Sequence, residues 1–128
     1  MIRGIVLSHG KLGEASLGAL RMMYGDVEHL ESLSNEGLST EEMVEKIREF
    51  SVAAKESGVC IFIDAFGGSC WRAAKLARLP GSIVITGFNL PMLLSFVNKR
   101  NTISFEELPS VMEIDGRRAI TAEVIIKE

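Results

Sequence analysis

Cysteine and histidine are scarce here, with two of each in 128 residues. Cys60 and Cys70 are too few and too isolated for a disulfide framework or a thiolate zinc site, and His9 and His29 lie far apart. No structural metal is expected from that spacing. Long apolar runs are missing as well. The most apolar stretch, residues 82–97, is interrupted by Thr86, Gly87, Asn89 and Pro91 and falls short of the roughly 20 residues that cross a bilayer. Charge of one sign is not in excess either: 14 Lys and Arg stand against 17 Asp and Glu, a net charge of −3, with no basic run or stripe. That balance argues against a nucleic-acid partner. The start of the chain lacks the basic region, apolar stretch and cleavage site of a signal peptide, so a cytoplasmic location is expected.

What is present is the composition of an ordinary globular protein, 47% apolar and 24% charged, with length for one core. Residues 1–128 are therefore read as a single domain. Short Ile- and Val-rich runs at 2–7, 59–63 and 82–85 read as strands buried on both faces, with residues 29–33 as an outer strand. Between them, Leu17, Leu20 and Met23 or Tyr24 predict one helix. Met43, Val44, Ile47, Phe50 and Ala54 predict a second, opened by a Ser39–Glu42 capping box. Residues 71–79, closed by Pro80 and Gly81, and 90–98 give two more. Ser104 and Glu107 suggest another capping box, with Pro109 bending or delaying the helix that follows. Asp115 and Gly116 read as a turn, and the alternation of Ile120, Ala122, Val124 and Ile126 as a last strand at the sheet's edge. The alternating order predicts a doubly wound α/β sheet, which binds ligands beyond the carboxyl ends of its strands.

Three of those ends carry Ser8-His9-Gly10, Asp64-Ala65-Phe66-Gly67-Gly68-Ser69 and Thr86-Gly87-Phe88-Asn89. A carboxylate bound to one imidazole nitrogen fixes the tautomer and raises the nucleophilicity of the other, so Asp64 is the natural orienter of His9. Gly67-Gly68-Ser69 enters a helix, where free N–H groups and the dipole favour an anion. The loop is not a Walker A sequence, and Gly10 and Gly13 lack the dinucleotide spacing, so ATP and NAD lose support and no cofactor is expected. His29 reads as solvated and Cys60 as core. Cys70, at a helix N-terminus where a thiol pKa can fall, is a minor candidate. Met22, Met23, Met92, Leu93 and Leu94 read as core or subunit contacts, and Trp71 as helix packing or a rim aromatic.

These loops resemble those of the mannose-family enzyme IIA domains of the sugar phosphotransferase system. In that family a Ser-His-Gly or Thr-His-Gly, an Asp-x-Phe/Trp-Gly-Gly-Ser-Pro and a Gly-Val-Asn-x-Pro-Met follow the first, third and fourth strands. The third loop here reads Asp64 to Cys70, and the last reads Gly87-Phe88-Asn89-Leu90-Pro91-Met92. The resemblance implies an open sheet of four parallel strands with helices on both faces. It also implies a C-terminal antiparallel edge strand, often exchanged within a homodimer. It makes His9 the phosphorylated residue and Asp64 its partner, with Ser8, Gly10, Phe66, Gly67, Gly68 and Ser69 around the phosphoryl group. The implied donor is the phosphocarrier HPr and the acceptor an enzyme IIB, the membrane being met only through its permease. Trp71, Phe88, Asn89 and Met92, beside Phe66, are candidates for the partner rim. Two departures flank the cradle: Cys70 stands where the family usually has proline, and Arg72 near a position where asparagine often sits. The alternatives are a phosphorylation-sensing regulator of the same family and, more remotely, a hydrolase with Cys70 as nucleophile and His9 as base.

Overall fold

The computed structural model describes residues 1–54 and 58–127. Four strands and five helices follow in order: β1 (Arg3–Ser8), α1 (Leu12–Tyr24), β2 (Leu30–Ser34), α2 (Thr40–Ala54), β3 (Val59–Ile63), α3 (Ser69–Ala77), β4 (Ser82–Thr86), α4 (Leu90–Lys99) and α5 (Leu108–Arg118). All strand pairs are parallel, in the order β2-β1-β3-β4. The chain therefore steps outward from β1 to β2 and then crosses back to β3 on the other side. The winding reverses between β1 and β3, the point at which sheets of this kind form a ligand crevice.

Alternation along the central strands divides the core in two. Val6, Cys60 and Phe62 face one layer with Leu17, Leu20, Leu93, Phe96 and Met112, from α1, α4 and α5. Ile5, Leu7, Ile61 and Ile63 face the other with Met43, Ile47, Ala73 and Ala77, from α2 and α3. The α2 cap forms as its sequence predicts, Glu42 N–H donating to Ser39 Oγ at 3.1 Å and Ser39 N–H to Glu42 Oε1 at 3.0 Å. The side chain of Ala54 lies outside the described residues.

Gly4 in β1 shows how close the layers come. A Cβ there would fall 2.7 Å from Leu30 Cδ1 and 2.9 Å from Phe96 Cε2. Gly4→Ala is expected to cost about 1–3 kcal/mol through overpacking, seen as a lower urea midpoint at unchanged slope. At the amino ends of the strands the Arg100 guanidinium is buried. It donates to the carbonyls of Ile2 (3.3 Å), His29 (3.3 Å) and Glu28 (2.6 Å), fastening α4 to the starts of β1 and β2.

Three expectations are corrected. Asp115 and Gly116 form no turn but lie inside α5. Gly116 is where α5 meets α4, since a Cβ there would sit 2.6 Å from Met92 Cε, and Asp115 bonds across the same seam to Lys99 Nζ (2.6 Å) and to Ser95. The last strand is not formed: α5 runs to Arg118, and residues 120–127 pair with no strand among the described residues. Extended backbone needs a neighbour to satisfy its hydrogen bonds, and this segment meets no strand among the described residues. Ile120, Val124, Ile125 and Ile126 are left 73–87% exposed. Met22 and Met23, read as core or subunit contacts, lie on the exposed side of α1, which excludes the core reading and leaves that of a subunit contact.

Candidate active site at the carboxyl edge of the sheet

His9 leaves β1 and Asp64 leaves β3, so the two strands flanking the crevice deliver the imidazole and the carboxylate. The Asp64 Oδ2 accepts the His9 backbone N–H and the Nδ1–H of its ring, each at 2.9 Å. One carboxylate oxygen thus fixes both the loop and the ring, and Nε2 is the nitrogen left with a lone pair. The second oxygen, Oδ1, accepts Ala65 N–H at 3.0 Å. Asp64 is only 10% exposed at its side chain, whereas the His9 side chain is 47% exposed. Burial pushes the Asp64 carboxyl up, but the hydrogen bonds from His9 and Ala65 and the nearby imidazole together hold it below the ordinary carboxylate value.

The lone-pair side of the ring meets the start of α3. Gly68 is the N-cap and contributes no side-chain cap. The first-turn N–H groups from Ser69 onward therefore have no carbonyl behind them in the helix. A Cβ on Gly68 would stand 3.1 Å from His9 Cε1 and 3.5 Å from Nε2, so the imidazole would have to shift by a few tenths of an ångström to admit any other residue here. Gly67, at φ +84°, makes the turn that precedes it. The Ser69 hydroxyl lies 3.4 Å from Nε2. A nucleophilic nitrogen, an open helix start and a hydroxyl therefore border the same space, an arrangement suited to an anion that is attacked and then released.

The remaining predicted residues fall into separate places. Ser8 is buried, and its Oγ accepts Gly13 N–H at 2.7 Å, holding the start of α1 rather than facing the crevice. The Gly10 N–H goes to Asn35 Oδ1 at 3.1 Å, and Asn35 N–H donates to the Ser8 carbonyl at 3.1 Å. Asn35 thus braces the His9 loop from the end of β2, a role not read from the sequence, although its place after an outer strand is the signal that could have found it. Phe66 is 76% exposed and its ring lies 4.9 Å from that of Trp71, so the two aromatics form one apolar pair between the loop after β3 and the first turn of α3. Asn89 and Met92 do not join it. Asn89 caps α4, accepting Met92 N–H at 2.9 Å and donating to the Gly116 carbonyl at 2.9 Å, while Met92 is buried beneath α5. Phe88 is partly buried against the same core.

Cys70 also departs from expectation. It sits in the first turn of α3 but is fully buried. Burial first, and then the Asp64 charge, push its thiol up to about 11, so the lowering a helix start can give is overcome and the thiolate is not the resting form. Burial and the raised thiol both count against the nucleophile that the hydrolase alternative needs. Its Sγ nevertheless lies 3.8 Å from His9 Nδ1. Residues scattered along the sequence are brought together here: ligating atoms of His9, Asp64 and Cys70 all lie within 4.8 Å of one another.

Fold and site together define a doubly wound α/β domain that presents an oriented imidazole to an uncapped helix start. Residues 4–112 match the family model EIIA-man, described as the PTS system fructose IIA component. The chain belongs to that family, the mannose-type enzyme IIA components of the sugar phosphotransferase system. It is 29% identical over 110 residues to the PTS system sorbose-specific EIIA component of Klebsiella pneumoniae, covering 84% of this chain and 82% of that protein. Among solved structures, the EIIA component from Streptococcus agalactiae superposes with a TM-score of 0.86 at 20% identity, over 95% of this chain and 97% of that one. The mannose/sorbose-specific IIA subunit from Enterococcus faecalis gives 0.77 at 22% identity, over 98% and 97%. At those identities the superpositions establish the shared fold. No helix among the described residues is long and apolar enough to cross a membrane.

Proposed function

We propose that His9 accepts a phosphoryl group from phospho-HPr and passes it to an enzyme IIB, in a cytoplasmic domain that serves sugar uptake. The carrying observation is the Asp64–His9 pair facing the uncapped start of α3. With the Nδ1–H held by Asp64, Nε2 attacks phosphorus in line. The exchange is a single step: the P–N bond to the donor's histidine nitrogen breaks as the Nε2–P bond forms, and the electron pair stays with the donor imidazole. Amides of the Gly68–Ser69 turn and the Ser69 hydroxyl are placed to receive the equatorial oxygens, where positioning and electrostatics supply most of the catalysis. The Phe66–Trp71 rim is the apolar contact that two successive partners share, in an encounter of the small, transient kind.

The direct test is to incubate the chain with enzyme I, HPr and phosphoenolpyruvate and weigh it. One acid-labile phosphoryl on His9 is expected, and its absence defeats the reading. Whether the acceptor is a transport IIB or a regulatory partner is decided by adding a IIB and following the label.

The homodimer belongs to the same proposal. The apolar tail at 120–126 and the unpaired outer edge of β4 are two halves of a missing ladder, and exchange of the tail between copies would close it. Deleting residues 120–128 is expected to convert a dimer into a monomer by light scattering. An unchanged solution mass would count against exchange.

A further inference from the structure

We propose that His9, Asp64 and Cys70 form a binding site for a thiophilic divalent cation of the zinc class, and that an ion there silences the imidazole. The donors are one nitrogen, one carboxylate oxygen and one sulfur, brought by the ends of β1 and β3 and by the first turn of α3. Nδ1 lies 2.9 Å from Asp64 Oδ2 and 3.8 Å from Cys70 Sγ, with all three atoms within 4.8 Å. Ligands of a tetrahedral zinc, at about 2.0–2.3 Å from the metal, stand roughly 3.3–3.7 Å from one another. The triangle therefore needs sulfur and oxygen to close by about 1 Å and nitrogen and oxygen to part by about 0.5 Å, movements within the reach of side-chain adjustment. Three protein ligands leave the fourth position for water, and a mixed N, O, S set suits zinc, cobalt or copper over magnesium or calcium.

The protons balance without a redox change. The Cys70 thiol gives its proton to solvent, and the proton held between Nδ1 and Asp64 is lost there and regained at Nε2. One proton leaves per ion bound, and no electron moves. Nε2 then carries a hydrogen directed toward Ser69 and has no lone pair to offer. The cation thus replaces the Nδ1 proton while imposing the opposite tautomer. Cys70 has no accessible surface and the His9 ring is half exposed, so the ion reaches the sulfur when that ring turns aside. Because cysteine stands here in place of the proline of the family pattern, the site belongs to this chain's own departure from it.

The test uses the intact, metal-free chain and Co²⁺ as a spectroscopic probe. A single equivalent is expected to raise a thiolate-to-cobalt charge-transfer band, to be displaced by Zn²⁺ and to resist excess Mg²⁺. Cys70→Ser should erase the band and weaken binding more than about tenfold, and Asp64→Asn should weaken it by a similar factor. Should Cys70→Ser not fold, judged by its melting curve, Cys70→Ala takes its place. No charge-transfer band in the wild type, a band that persists without Cys70, or displacement by Mg²⁺ overturns the site.

The silencing half rests on the carrier reading. Zinc-loaded wild type is expected to take no phosphoryl group at a zinc concentration that leaves Cys70→Ser fully labelled, and equal labelling of the two overturns the proposal. A metal-free protein that takes no phosphoryl group defeats the carrier reading alone, and the cobalt spectra then decide the ion site by themselves.

Discussion

His9→Ala is expected to abolish phosphoryl acceptance completely, while the domain stays folded. The side chain is half exposed and its removal leaves the strands and both core layers untouched, so the loss is confined to the ring's hydrogen bond to the Asp64 carboxylate, about 1–2 kcal/mol. Chemically nothing replaces it. Ser69 lacks a base once the ring is gone, and the Cys70 thiol is buried and pushed up to about 11. The readout separates these cases, because a phosphohistidine is lost in acid whereas a phosphoserine survives. Acid-labile label retained on His9→Ala would place the acceptor elsewhere and end the reading.

Asp64→Asn carries the second large effect. The carboxylate can only accept, which compels Nδ1 to hold the proton. An amide can donate instead, and then Nδ1 becomes the acceptor and Nε2 is protonated. The rate of acceptance is expected to fall by about two to four powers of ten, with HPr binding little changed, since Asp64 lies behind the ring rather than on the rim. The same substitution has a pH signature. The Asp64 carboxyl is held below its ordinary value in the fold. Its contribution to stability is therefore complete above the ordinary carboxylate range and lost as pH falls through the depressed folded value. Wild type should be the more stable protein at neutral pH, and the difference from Asp64→Asn should shrink on acidification. A gap that stays constant between neutral pH and pH 3 would show that the carboxylate is not favoured by its surroundings.

How much of this was legible in the sequence depended on whether a signal was local. β3, with five consecutive buried residues, and α2, with its apolar stripe and reciprocal cap, declare themselves within a dozen positions. The pairing of His9 with Asp64 was legible too, because parallel strands bring their carboxyl ends to one edge whatever the loops contain. What escaped was set by neighbours distant in the chain. Gly116 has the chemistry of a turn residue, yet its lack of a Cβ is used by Met92, 24 positions earlier. The tail carries a strand's alternation, but alternation does not provide a partner, and none is present among the described residues. The Cys70 thiol was judged from its helix position, whereas its burial and the Asp64 charge decide its protonation. Asn35 gave no periodic pattern, since a brace formed by one side-chain carbonyl leaves none, and only its place after the outer strand marked it.

Arg100 gathers its three carbonyls at the edge opposite His9, with the length of the strands, roughly 17–20 Å, between them. At that separation two substitutions have no shared neighbours through which to interact. Durability and reactivity are thus written at different poles of one sheet, and natural drift in the loops that greet partners can proceed without loosening the clasp that keeps the molecule whole.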